Sequence, residues 1–167
     1  MSRSKKPRKA YRPRQIAINT LELAIHRAAK PPRQDLDEIL EGLDAAIQAL
    51  CAGVATELQW SIVAGAAALA KAIERQGVVR GLQEHLDSAE AVLQAVYGRC
   101  RLPALWLRPT LTFEEIEAVQ LLRELHAFQI EQLGRGEFLR AVDAATRLIV
   151  SEGNQVTLMR DIEEVAA

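Results

Sequence analysis

Apolar residues recur at three- and four-residue steps through most of the chain, the period of helices that bury one face. Leu21, Ala24, Ile25 and Ala28 predict a short first helix that Asn19 or Thr20 caps and Pro31 and Pro32 stop. Leu36, Ile39, Leu40, Leu43, Ile47, Leu50, Cys51 and Val54 predict a strongly amphipathic second helix, with Asp35 and Glu38 spaced as an acidic capping box. Gly53 should interrupt it, and Thr56 with Gln59 opens the next helix through Trp60, Val63, Ala67 and Ile73 to a stop near Gly77. The small residues Ala64 to Ala68 at its centre leave room for a close neighbour. Leu82, Leu86, Ala89, Leu93 and Val96 predict a helix from about Val79 to Tyr97, ending near Gly98. Thr112 and Glu115 form a further capping box, flanked by Leu111 and Ile116 as a hydrophobic staple, at the head of a helix to about Leu133. The last predicted helix runs from Glu137 through Phe138, Val142, Ala145, Leu148 and Ile149 to Gly153.

The expected fold is therefore all-α, an antiparallel bundle of five to six helices in one domain covering residues 16–153. Residues 154–167 form a tail with room for one more short helix. Composition agrees, because 27 Ala and 22 Leu make up 49 of 167 residues while aromatics are 4%. The two cysteines, Cys51 and Cys100, have neither metal-ribbon nor redox spacing, which suits a reducing cytoplasm. The longest uncharged apolar run, Leu58 to Ala70, has thirteen residues and is too short for the roughly 20 that cross a bilayer.

Charge changes the picture. Residues 1–33 carry ten Lys or Arg against one acid, Glu22, a local sum of +9 under a net charge of −1, so the remainder carries −10. Residues 1–15 read as a disordered basic arm, with Pro7 and Pro13 biasing it towards extended conformations and no aliphatic core former beyond Met1. Such runs bind polyanions by neutralising phosphates and releasing counterions. Arg3, Lys5, Lys6, Arg8, Lys9, Arg12 and Arg14 are the candidate phosphate contacts, and Tyr11 a candidate stacking residue. The bland alternative is a solubilising tail.

A second candidate surface lies between Glu90 and Glu114, where no acid occurs for 23 residues. Tyr97, Arg99, Arg101, Trp106 and Arg108 there have the composition of a nucleic-acid platform or an interface hot spot. Equally, Leu102, Leu105, Trp106 and Leu107 could fold the segment back as a lid on the bundle. Both readings stand at this point.

Catalytic signatures are absent from the spacing. No Glu-x-x-His, His-Glu-x-x-His, Walker or Gly-x-Gly-x-x-Gly motif occurs, and Gly77, Gly81, Gly134 and Gly136 read as helix punctuation. His26, His85 and His126 fall on three different helices and would need to converge with Glu84, Asp87 or Glu124 to bind a metal. Cys51 reads as a small hydrophobe, while Cys100 beside Arg99 and Arg101 is the better candidate for a lowered thiol pKa. Asp35, Asp37, Glu38 and Glu41 are accounted for by the helix dipole. The expectation is a protein that is not an enzyme, takes no cofactor or metal and inserts in no membrane. Its partner would be DNA, RNA or an acidic protein surface, with homo-oligomers open. A competing expectation is a protein interaction module, an adaptor or an inhibitor of a host factor, using the acidic helical body.

Four stretches carry a resemblance: Lys5 to Arg14, Gly53 to Trp60, Leu125 to Phe138, and Gly153 to Val156. They resemble small, mostly uncharacterised helical proteins of tailed phages and prophages of proteobacteria with a Lys/Arg-rich Tyr-Arg-Pro leader. The resemblance implies an accessory role in the cytoplasm of a bacterial host cell and lends no active-site residues.

Overall fold

A computed structural model describes residues 20–103 and 105–151; the predicted basic arm and C-terminal tail lie outside them. Among the described residues the chain forms α1 (Thr20–Ala28), α2 (Arg33–Cys51), α3 (Glu57–Gln76), α4 (Gln83–Cys100), α5 (Phe113–Gln132) and α6 (Arg135–Ser151). The irregular connection after α4 holds a two-residue antiparallel hairpin, β1 (Arg101–Leu102) and β2 (Leu105–Trp106), with Arg101 opposite Trp106 and Leu102 opposite Leu105. The protein is an all-α helical bundle. Among the described residues no helix is long and apolar enough to cross a membrane.

Helix α3 is the axis of the bundle and touches α2, α4, α5 and α6. Its small buried residues, Ala67 and Ala70, permit that crowding, because side chains of one carbon let several helices approach one surface. One apolar cluster joins Leu43, Ile47 and Leu50 of α2 to Val63 of α3, Leu86 and Leu93 of α4, and Val119 and Leu122 of α5. A second joins Ile73, Ile130, Leu133, Ala141 and Ala145, with Leu36, Leu40 and Phe138 packed against it. Two cations, in three ion pairs, tie helices together beside this core. Arg123 of α5 grips Asp44 of α2 through two bonds of 2.6 and 2.7 Å. Lys71, buried on α3, meets Asp87 at 2.7 Å and Glu90 at 2.5 Å on α4.

Both capping boxes form with reciprocal bonds, Thr56 with Gln59 and Thr112 with Glu115. The Asp35 box does not: α2 begins directly after the prolines with Pro32 at its N-cap and no side-chain cap bond, leaving Asp35 in the first turn beside the positive helix end. Val54 is exposed rather than part of the α2 stripe, since the helix ends at Cys51 and Gly53 turns the chain at φ +70°. Helix α4 starts four residues later than its apolar pattern suggests. Gly77 and Gly81 hold positive φ, and the Glu74 carboxylate accepts from the backbone N–H groups of Gly81 (2.7 Å) and Leu82 (3.1 Å), keeping Val79 in the turn. At its other end α4 runs past Gly98 to Cys100, which is buried.

Helix α6 starts two residues early for the reciprocal reason. The Glu137 carboxylate accepts the Gly134 N–H at 2.8 Å, placing Glu137 inside the first turn. Gly134 and Gly136 do more than punctuate, because the end of α1 lies directly on them. A methyl added at Gly136 would come within 2.9 Å of Cβ of Arg27, and one at Gly134 within 3.1 Å of its carbonyl oxygen. Arg135 N–H donates to the Ala29 carbonyl at 2.8 Å, and Lys30 Nζ to the Glu131 carbonyl at 2.8 Å. Helix α1, attached chiefly to α6, thus ends at the junction of α5 and α6.

Candidate nucleic-acid interface

The segment from Arg99 to Thr110 folds back on the bundle. Trp106 Nε1–H donates to the Ala55 carbonyl at 2.9 Å, and Leu107 N–H to the Cys100 carbonyl at 2.8 Å, so both ends of the hairpin are tied to neighbouring backbone. The Trp106 ring packs 6.1 Å from both Trp60 and Tyr97, which lie 4.6 Å from each other, all measured between ring centroids. Trp60 Nε1–H in turn donates to the Leu93 carbonyl at 3.0 Å. This three-ring cluster buries apolar ring surface while each indole N–H finds an acceptor, the arrangement expected of structural aromatics. Of the four apolar residues of the expected lid, Trp106 packs back on the bundle, while Leu102, Leu105 and Leu107 are exposed.

The arginines are engaged as well. Arg99 makes a two-pronged contact with Glu115, at 2.7 and 2.9 Å, and a third bond to the Thr110 carbonyl at 3.3 Å. The same Glu115 accepts the Thr112 backbone N–H at 2.9 Å as part of the α5 capping box. One carboxylate therefore joins the helix start to the preceding loop, and Arg99 holds it well below the usual carboxylate range. Arg101 is paired with Glu57 and lies over the Tyr97 ring, 5.9 Å from its centroid. Of the four predicted loop contacts Arg99, Arg101, Trp106 and Arg108, only Arg108 is exposed and takes part in no ion pair among the described residues. The missing signal in the sequence was pairing at a distance: an acid-free window says nothing of Glu57 and Glu115 supplied from flanking helices.

Because Glu115 serves two partners, Glu115→Ala should cost about 1–2 kcal/mol, the worth of a lost cap plus a partly exposed ion pair. Glu115→Gln, which keeps the cap geometry, should cost less than half as much. Equal losses in chemical denaturation would show that the cap contributes nothing.

Cys100 departs from expectation: it is the last residue of α4, and burial pushes its thiol up despite the nearby Arg99. The guanidinium that was to activate it is directed at Glu115. Cys51 is half-buried and likewise pushed up by burial, in keeping with a small hydrophobe. His26 and His85 are exposed on α1 and α4, whereas His126 is 1% exposed on α5. Among the described residues no group of three or more His, Cys, Asp or Glu side chains converges as metal ligands. Asp87 is taken up by Lys71.

The remaining predicted contacts, Arg3, Lys5, Lys6, Arg8, Lys9, Tyr11, Arg12 and Arg14, lie outside the described residues. Comparison of the chain with models of protein families, with curated proteins and with solved structures finds no match.

Proposed function

We propose that this chain is a non-enzymatic, phage-type cytoplasmic protein that associates with nucleic acid through its N-terminal basic segment, mostly by phosphate contacts. One observation carries the reading: seven cations and no acid in residues 1–14, attached to a body whose residues 34–151 hold ten Lys or Arg against seventeen acids. An acidic body repels a polyanion, so attraction has to come from the segment that differs in sign. The engagement of Arg99 and Arg101 with Glu115 and Glu57 supports assigning the contacts to the N-terminal segment, with Arg108 the remaining candidate on the body. Contacts to phosphate position a polymer without reading its sequence, so recognition is weakly specific.

The test is the full chain with Arg8, Lys9, Arg12 and Arg14 changed to Gln. Affinity for duplex DNA at low salt should fall at least roughly tenfold, and the salt slope should become shallower by about 3 to 4. Unchanged affinity would remove the reading.

A second reading, a protein interaction module, draws support from the outer face of α5, where large apolar side chains stand in water between acids.

A further inference from the structure

The outward face of α5 is a regular stripe. Phe113, Glu117, Leu121, Glu124, Phe128 and Glu131 follow at steps of four, four, three, four and three residues, so all six lie along one side of the helix. All are exposed: Phe113 by 73%, Leu121 by 37% and Phe128 by 51%. Apolar and acidic positions alternate along about 27 Å, the length of eighteen residues of α-helix. No cation belongs to the stripe. The nearest on the helix, Arg123, is turned towards α2 by its two bonds to Asp44.

Such a face is unsuited to a polyanion and suited to a segment bearing many cations with some apolar surface. The chain itself contains one. Residues 3–14 hold seven cations, Tyr11 and no acid. Reach is no obstacle. Lys30, at the end of the α1 connection, bonds the Glu131 carbonyl at the C-terminal end of the stripe. The nine residues of α1 span about 14 Å. Residues 3–14 precede Thr20 by six to seventeen positions, which at up to about 3.3 Å each allows about 20 to 56 Å, enough to run the length of the stripe.

We infer that the outer face of α5 is a docking surface for the chain's own N-terminal basic segment. Tethering makes the encounter intramolecular, with an effective concentration on the order of millimolar, so weak individual contacts suffice. If the same segment binds nucleic acid, which rests on the function proposed above, the stripe competes with the polymer for it, and a strong polyanion is needed to lift it off. The docking itself needs no nucleic acid.

The test therefore contains none. Trypsin cleaves after Lys9 and Arg14 in the full-length protein, while the Lys6–Pro7 and Arg12–Pro13 bonds resist it. Initial cleavage rates are compared for the wild type, for Glu117→Gln/Glu124→Gln/Glu131→Gln, and for Phe113→Ser/Phe128→Ser, which leaves charge unchanged. A charge-matched control carries Asp35→Asn/Asp37→Asn/Glu84→Gln, exposed acids off the stripe. At low salt both stripe variants should be cut roughly three- to tenfold faster than the wild type, as docking keeps the substrate conformation a minority. The control should match the wild type, and the rates should converge at high salt. Equal rates for wild type and stripe variants at low salt would overturn the inference and leave the face to a separate protein partner. Protection that rises with protein concentration would overturn it in favour of a second copy's segment.

Discussion

Acidification from pH 7 to 4.5 should cost the bundle about 2–3 kcal/mol through His126 alone. His126 is 1% exposed, its Nδ1 finds no hydrogen-bond partner among the described residues, and burial holds its pKa at about 4 against an ordinary 6.5. The imidazole is neutral in the folded chain and takes up a proton on unfolding wherever the pH lies between those values. The unfolded state then binds more protons, so stability falls as the pH drops from 6.5 and levels off below 4. Asp44, Asp87 and Glu115 act in a lower window. Their cationic partners hold them below the usual carboxylate range, so their contributions are present above that range and are lost as the pH falls from it to the depressed values. Denaturant titrations of wild type and His126→Leu across pH 4–7 separate the two windows. The variant should lose the slope between 6.5 and 4 while keeping the acid limb beneath it. Parallel curves for the two proteins would show that His126 is not held neutral in the fold.

Trp106→Ala should destabilise the protein by about 2–3 kcal/mol, short of the roughly 3–5 kcal/mol for a fully buried large aromatic because the ring is only half-buried. The substitution deletes ring contacts to Trp60 and Tyr97 and the indole bond to the Ala55 carbonyl, freeing the hairpin from the α2–α3 turn. Its effect on nucleic-acid affinity should be less than twofold, since the ring is occupied as a structural wedge and stacks on no external base in this account. A stability loss below about 0.5 kcal/mol, or an affinity loss above fivefold, would return Trp106 to the role of an exposed platform.

Helix content and most boundaries were legible because amphipathic spacing and capping chemistry are local. Thr56–Gln59 and Thr112–Glu115 lie within one turn of their partners, so the residues that form each bond are visible together in the sequence. The errors arose where a distant residue decides the outcome. Val79 fits the α4 period, yet Glu74 ties up the following N–H groups across a glycine turn. Gly136 looks like helix punctuation until Arg27, more than a hundred residues earlier, is found against it. The same limit applies to the candidate interface. The acid-free window around Arg99 is a property of the linear chain, whereas Glu57 and Glu115 reach it only through folding. The α5 stripe was overlooked because alternating Phe, Glu and Leu blurs the contrast between a buried and a solvated face. Once Val119, Leu122, His126 and Ile130 are seen to be the buried side, Phe113, Leu121 and Phe128 are left in water.

The central claim is that the N-terminal cations hold nucleic acid by its phosphates. Titration of the full-length protein against duplex DNA at several salt concentrations tests it most directly. If about five of the seven cations engage phosphates, log affinity should fall with log salt at a slope of roughly −4 to −5. Absence of binding at low salt, or binding whose strength does not change with salt, would contradict the account and leave the acidic helical body as the working surface of the protein.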